Sequence, residues 1–291
     1  MTREVKFILL VFCIYAICVS GCSSKKHFEP QAINGKVVFK DTLSAPIKSA
    51  TREGAILKDN TLVSFSQGIT PLVLEPYHKF LAQDKDTYVL QSRCENIIIL
   101  ESNKHTSQSI PFDTCVLSAS LKDDKLAMVL LDNTIMYYDI AQNKITKDIL
   151  IVSDKFFNNV IYIYAQNNYL LAATTKRVSV IIGDRSFKYD VDLRDVLFFN
   201  DKVYVLSIEG EILELDHTLK LLRKVRLPFA VFSGIVIANN TLYTLERGGY
   251  LIELNLKDFA PLVYKNNLAK KKSLFYNQDT FFYDKVYKRF Q

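Results

Sequence analysis

The sequence predicts an all-β fold, a β-propeller of about seven four-stranded blades that its N-terminal strand closes, with six blades as the alternative. Short apolar runs rich in β-branched and aromatic residues alternate with Asn, Asp and Gly turns, and long helical periodicity is missing. One element, an Asn or Asp followed one residue later by an apolar strand, recurs at Asn60, Asp86, Asp124, Asn168, Asp201, Asn240 and Asp279. Its successive spacings of 26, 38, 44, 33, 39 and 39 residues approach the roughly 40-residue blade of a propeller.

The N-terminus carries the pattern of an export signal. Arg3 and Lys6 precede an apolar run over residues 7–19, which is shorter than the roughly 20 apolar residues of a membrane span. The run ends in Val19-Ser20-Gly21-Cys22, which resembles the lipobox of bacterial lipoproteins. That resemblance implies removal of residues 1–21 and acylation of Cys22. The alternatives are an uncleaved membrane anchor and an ordinary secreted protein.

The predicted localisation and domain organisation follow from this signal. Ser23 follows the cysteine, and the sorting rule of enteric bacteria then implies an outer-membrane lipoprotein that faces the periplasm. Residues 22–34 are polar and predict a flexible tether, and residues 35–291 form the predicted propeller domain. The net charge of +6 is scattered along the chain, and nucleic acid is not a predicted partner in the envelope. The membrane is predicted as a partner through the N-terminal lipid.

Each predicted blade contains strands a to d in chain order. In one unit, strand a spans residues 196–199, strand b 203–206, strand c 211–216 and strand d 221–227. Asn, Asp and Gly between these strands supply the positive φ that tight hairpins require. Strand d carries Arg223, Lys224 and Arg226, which predicts a solvated outer edge that avoids pairing with other chains.

The two ends of the chain predict how the ring closes. The last unit, after Asp279, is too short to form a blade alone, while Lys36-Val37-Val38-Phe39-Lys40 is a strand without a blade. We expect this strand to complete the last blade, because such closure removes open strand edges. The first spacing of 26 residues predicts a first blade that lacks a full fourth strand.

Cys94 and Cys115 are predicted to form a disulfide. Cys13 and Cys18 lie in the signal, so these two remain as an even pair in an exported protein. Cys94 lies after a b strand, and Cys115 lies in the link from a d strand to the next a strand. In an up-and-down propeller, the b–c turns and the d–a links lie on the same face. The alternative is two buried thiols that act as small apolar side chains.

The sequence offers no catalytic or metal-ligating constellation, and we predict no catalytic residues, no metal and no cofactor. The histidines His27, His78, His105 and His217 are scattered without metal-ligand spacing. Asp123-Asp124 is interpreted as a structural turn. A basic cluster of Lys265, Lys270, Lys271 and Lys272 is either a solvated loop or a contact for lipid headgroups or an acidic partner.

The blade pattern over roughly residues 53–265 resembles the quinoprotein-type propellers and, among lipoproteins, the propeller subunit of the outer-membrane barrel-assembly machinery. Quinoprotein blades usually end in a docking tryptophan, and this chain has no Trp, so quinone and calcium binding are not carried over. The resemblance implies a non-catalytic scaffold that binds envelope proteins, with a role in outer-membrane protein assembly. The alternative is an enzyme or small-ligand binder that uses acidic or His side chains in the central channel.

Overall fold

The computed structural model describes residues 26–64, 71–73, 78–101, 106–150, 160–268, 274–277 and 279–290. Twenty-nine strands in these residues form seven separate sheets, each of four or five strands. This arrangement confirms the predicted seven-bladed propeller. The described residues include no helix, and therefore none long and apolar enough to cross a membrane.

The strands follow one another from the inner to the outer position of each blade. The N-terminal segment contributes β1 (Lys36–Val37) and β2 (Asp41–Thr42). Blade 1 contains β3 (Ile47–Ala50), β4 (Gly54–Leu57), β5 (Thr61–Ser64) and β6 (Pro71–Val73). Blade 2 contains β7 (His78–Asp84), β8 (Thr87–Ser92), β9 (Asn96–Glu101) and β10 (Thr106–Pro111). Blade 3 contains β11 (Val116–Lys122), β12 (Lys125–Leu130), β13 (Thr134–Asp139) and β14 (Lys144–Leu150).

The remaining blades repeat this order. Blade 4 contains β15 (Tyr162–Gln166), β16 (Tyr169–Ala173), β17 (Arg177–Ile182) and β18 (Arg185–Asp190). Blade 5 contains β19 (Leu193–Phe199), β20 (Lys202–Ser207), β21 (Glu211–Asp216) and β22 (Leu221–Arg226). Blade 6 contains β23 (Val236–Ala238), β24 (Thr241–Glu246), β25 (Tyr250–Asn255) and β26 (Pro261–Asn266). Blade 7 contains β27 (Leu274–Tyr276), β28 (Thr280–Tyr283) and β29 (Val286–Arg289).

The recurring Asn and Asp residues occupy the turns for a conformational reason. Between the first and second strands of blade 3, Asp123 and Asp124 both have positive φ, 45° and 62°. The matching turns of blades 5 and 6 repeat this pair of positive values at residues 200–201 and 239–240. A two-residue turn of this type needs positive φ at both positions, which Asn and Asp tolerate best after Gly. Asp123-Asp124 is therefore a structural turn.

The first recurring element has a different position from the other six. Asn60 lies between β4 and β5, the second and third strands of blade 1, whereas the other elements precede the second strand of their blades. This shift explains the short first spacing. Blade 1 has four strands, β3 to β6, so the expectation that it lacks a full fourth strand is wrong.

The N-terminal segment closes the ring, but with a different register from the predicted one. The outer strand of blade 7 is β2, which pairs antiparallel with β29. The predicted closing strand around Val37 instead begins with β1, which pairs parallel with β26 as a fifth strand of blade 6. Between the two, Phe39 is 3% exposed and its N–H donates to Asn267 Oδ1 at 2.9 Å. The segment therefore crosses from blade 6 to blade 7 and joins them.

Part of the predicted tether packs on the domain. Phe28 is 6% exposed and lies in the apolar core of blades 5 and 6, with its ring edge-on to Tyr250 at 5.9 Å. Asn34 N–H donates to the Val263 carbonyl at 2.7 Å. The chain from Phe28 onward is therefore attached to blade 6, a contact that the polar composition of residues 22–34 does not reveal.

The outer strand of blade 5 also differs from a simple solvated edge. Arg223 Nε donates to Glu214 Oε2 at 2.6 Å, and Glu214 is fully buried. The same guanidinium donates to the carbonyls of Leu256 and Lys257 in blade 6, at 2.6 and 2.9 Å. Lys202 forms the second ion pair of Glu214. This part of the charged strand links neighbouring blades, so the prediction of a solvated face is wrong for Arg223.

Candidate functional site

The seven inner strands, β3, β7, β11, β15, β19, β23 and β27, surround a central channel. The two ends of the propeller are distinct. Turns between the second and third strands, together with links from an outer strand to the next inner strand, lie at one end, which we call the loop face. Turns between the first and second strands lie at the opposite face. Binding sites in folds of this kind concentrate in such loops and in the channel.

An Arg–Asp pair crosses the channel. Arg52 lies in the turn between β3 and β4, and its Nη2 donates to both carboxylate oxygens of Asp195 in β19 at 2.7 Å. The same guanidinium donates to the carbonyls of Ile235, at 2.6 Å, and Val196, at 2.9 Å. Asp195 Oδ2 also accepts from the N–H of Ile235 at 2.6 Å. Both side chains are only about a tenth exposed, so blade 1 is tied to blades 5 and 6 through a buried charge pair.

Two tyrosine rings surround this pair. The Arg52 guanidinium carbon lies 4.8 Å from the centroid of Tyr276 and 5.6 Å from that of Tyr162. Burial, and the negative charge of Asp195, raise the pKa of Tyr276. Burial opposes the positive charge of Arg52, but Asp195 and the two tyrosines outweigh it, so the pKa of Arg52 is raised. A Cβ on Gly234 would lie 2.2 Å from the Tyr276 ring, so this ring requires glycine there.

The Arg52 turn divides the channel into two cavities. The cavity toward the loop face has a volume of about 380 Å³, and the cavity toward the opposite face about 340 Å³. Arg52, Glu53 and Tyr162 line both cavities, so they lie at the boundary. Among the described residues, no histidine lines either cavity, and no group of three or more His, Cys, Asp or Glu is placed to hold a metal ion.

Glu53 makes stability depend on pH. Burial raises the pKa of its carboxyl from 4.5 to about 7, although the hydroxyl of Thr51, 3.2 Å away, and the charge of Arg52 act in the opposite direction. Because the folded-state pKa lies above the unfolded value, the native protein binds this proton more tightly than the unfolded chain. The stability that Glu53 contributes is therefore present at low pH and falls as pH rises through about 4.5 to about 7.

Glu53→Gln is expected to remove this part of the pH dependence. Between about pH 4.5 and about pH 8, the wild type should lose up to about 3 kcal/mol more free energy of unfolding than the variant. Urea denaturation across this range measures both curves, and their difference isolates Glu53 from carboxyls such as Asp59, whose pKa is lowered by backbone hydrogen bonding. Parallel curves for the two proteins would show that Glu53 does not titrate in this range.

The loop face exposes large apolar side chains on four consecutive blades. Leu131 and Ile208 lie in turns between second and third strands and are 55% and 56% exposed. Ile161, Phe229 and Val231 lie in the links that enter inner strands and are 48%, 52% and 42% exposed. We call these five residues the loop-face apolar set. Isolated exposed apolar residues are ordinary, whereas a contiguous exposed apolar patch is typical of an interaction surface.

The structure joins Cys94 and Cys115 in a disulfide on the loop face, with their Cα atoms 4.4 Å apart. Cys94 lies in the turn between β8 and β9, and Cys115 in the link between β10 and β11. Gln91 holds the same two segments together, since its Nε2 donates to Thr114 O at 2.7 Å and its Oε1 accepts from Val116 N at 3.0 Å. In the chain-entropy model, a bond that closes a loop of this length contributes about 3 kcal/mol.

The remaining predicted residues are not brought together. Lys265 is exposed on β26, where it pairs in register with Lys36 of β1. Cys22, Lys270, Lys271, Lys272 and His105 lie outside the described residues. The channel residues Arg52, Glu53 and Asp195 were not among the predicted site residues. Their only sequence signal is a charged pair, Arg52-Glu53, placed directly before Gly54.

Comparison with known proteins gives two kinds of similarity. No protein-family model matches the chain. The plasminogen-binding protein PgbB of Helicobacter pylori is 29% identical in one strain and 28% in another, over 380 aligned residues. Each match covers 96% of this chain and 70% of the relative.

Solved structures share the fold. BamB from Moraxella catarrhalis, a propeller lipoprotein of the barrel-assembly machinery, superposes with a TM-score of 0.53 at 12% identity, and the match covers 86% of this chain and 98% of BamB. The Pan2 WD40 domain of Neurospora crassa gives a TM-score of 0.59 at 12% identity, with 84% and 88% of the two chains covered. The match to BamB confirms the resemblance to the barrel-assembly propeller at the level of the fold.

Proposed function

We propose that the chain is a lipid-anchored, non-catalytic propeller of the bacterial cell envelope that binds a protein partner through the loop face. The observation that carries this proposal is the loop-face apolar set, which extends over blades 3 to 6 and whose side chains are 42–56% exposed. The similarity to PgbB over 96% of the chain supports a protein as the partner and names plasminogen as the first candidate. A few buried residues commonly supply most of the binding energy of a protein interface.

The N-terminal segment supports a membrane-proximal orientation of the loop face. Lys26 Nζ lies 5.5 Å from the centroid of Phe229, which belongs to the loop-face apolar set. Phe28 packs beside Tyr250, next to the turn that precedes β25. The four peptide units between Cys22 and Lys26 span at most about 14 Å when fully extended. An acyl chain on Cys22 would therefore hold the blade 5 and 6 side of the loop face close to the lipid surface.

This orientation suits a partner at or in the outer membrane. A loop face held close to the lipid meets membrane proteins sooner than proteins free in the periplasm. We therefore extend the proposal to a role in outer-membrane protein assembly, in which the apolar set contacts a membrane protein. The non-catalytic assignment is supported by the Arg52–Asp195 pair, because the two groups bond to each other and to backbone.

Plasminogen binding tests the loop face. The combined change Ile208→Ser and Phe229→Ser is expected to weaken the affinity for immobilised plasminogen by about tenfold or more, because it removes two exposed apolar anchors. The matched control, Leu221→Ser with Leu222→Ser, alters residues of similar exposure, 42% and 46%, on the outer strand β22. Biolayer interferometry on the chain without residues 1–21 measures the dissociation constants. Equal losses in the two variants would contradict binding through the loop face, and no saturable binding by the wild type would exclude plasminogen as the partner.

A further inference from the structure

The channel cavity toward the loop face contains more positive than negative charge. Arg52, Lys79 and Arg194 line it, and its carboxyl groups are those of Glu53 and Asp195. Asp195 is neutralised by Arg52, and its Oδ2 accepts from the N–H of Ile235 as well. The carboxylate of Asp195 therefore does not balance the charges of Lys79 and Arg194.

Lys79 and Arg194 are each positioned by one backbone carbonyl. Lys79 Nζ donates to Val116 O at 2.7 Å, and Arg194 Nε donates to Phe232 O at 2.7 Å. Within the part of the chain that the structure describes, neither side chain forms an ion pair. Each bond uses one donor, so two N–H groups of the Lys79 ammonium and the outer nitrogens of the Arg194 guanidinium remain for a ligand. Partial burial lowers the pKa of Lys79, as expected for a cation without a counter-charge.

The walls of the cavity fit a small organic molecule. Tyr162, Phe275 and Ile161 provide apolar and aromatic surface, while Thr51 and Ser118 provide hydroxyl groups. The volume of about 380 Å³ lies within the range of small-ligand sites, roughly 300–1,000 Å³. Because the pKa of Glu53 is about 7, this carboxyl adds little negative charge below neutral pH.

We propose that this cavity binds a small organic anion whose carboxylate or phosphate groups contact Lys79 and Arg194. The two cations lie on the inner strands of blades 2 and 5, β7 and β19. A guanidinium that retains two outer nitrogens matches the paired oxygens of both groups, and a lysine adds a point charge. The cavity shares Ile161 with the loop-face apolar set, but Lys79 and Arg194 lie outside that set. Loss of anion binding on their substitution would therefore leave the protein-binding proposal standing.

Calorimetric titration with succinate, citrate and inorganic phosphate tests the site. The wild-type chain without residues 1–21 is expected to bind at least one of these anions saturably at millimolar or lower concentration. Lys79→Gln and Arg194→Gln should each weaken the binding by about tenfold, since each removes a charged hydrogen-bond donor. Preference for citrate or succinate would identify a carboxylate, and preference for phosphate a phosphoryl group.

Two further variants separate the site from general charge effects. Lys188→Gln removes an exposed cation on the outer strand β18 and should leave the binding unchanged. Lys79→Arg keeps the charge and should bind within a few-fold of the wild type, which also shows that loss in Lys79→Gln is not misfolding. No saturable binding by the wild type, or equal weakening in Lys79→Gln and Lys188→Gln, would overturn the proposal.

Discussion

A chain that begins at Ser44 is expected to lose its cooperative fold, whereas a chain that begins at His27 is expected to unfold as the chain without residues 1–21 does. The segment between these two starts supplies β1 and β2, the strands that extend blades 6 and 7. It also supplies the buried side chains of Phe28, Phe39 and Leu43. Burial of each contributes about 2 kcal/mol, so their sum is comparable with the about 5–15 kcal/mol that stabilises a typical domain.

Urea denaturation and size-exclusion chromatography of the two chains test this prediction. The Ser44 chain should elute as an expanded or aggregated species, because removal of β2 exposes the edge of β29. The single change Phe39→Ala should cost about 3–5 kcal/mol within an otherwise complete chain. A Ser44 chain with the same unfolding midpoint as the His27 chain would show that the N-terminal segment does not close the ring.

The second large effect is expected at the channel. Arg52→Met should lower the free energy of unfolding by about 3–5 kcal/mol, because it leaves the carboxylate of Asp195 buried without its partner. The double variant Arg52→Met with Asp195→Leu should recover most of this loss, since an apolar pair of similar volume often replaces a buried ion pair at little cost.

Lys224→Met is the matched control for Arg52→Met. Lys224 pairs with Glu211 at 3.2 Å, but its side chain is 48% exposed, so loss of this pair should cost less than about 1 kcal/mol. Chemical denaturation of the four proteins compares the effects directly. Equal stability of the wild type and Arg52→Met would mean that the pair does not hold blades 1 and 5 together.

The fold was predictable because its turns have a strong local cause. Asp123-Asp124 and Asn239-Asn240 adopt the positive φ that the hairpins require, and few other residues tolerate it. The same cause explains why the prediction for blade 1 was wrong. Asn60 also has positive φ, 65°, but it lies in the turn between the second and third strands of its blade. Residue type alone does not separate the two kinds of turn. The pairing of Cys94 with Cys115 followed from strand order, since topology alone places both on one face.

The channel was not predictable from the sequence for a physical reason. Arg52 and Asp195 are 143 residues apart, and each occupies a local context that would suit a solvent-exposed residue equally well. Phe28 presents the same difficulty, because its burial depends on Tyr250, far along the chain. Lys79 and Arg194 meet in one cavity only through ring closure. Sequence patterns with short periods report turns and strands, and they carry no information on which inner-strand side chains converge in the channel.

Photo-crosslinking in the native envelope tests most directly whether the loop face binds the partner. A photoreactive residue at Ile208, on the loop face, is compared with one at Ile145, on the outer strand β14, because the two are 56% and 55% exposed. We expect a discrete protein adduct from position 208 and none from position 145. Adducts of equal yield from both positions, or an adduct from position 145 alone, would contradict a partner bound at the loop face.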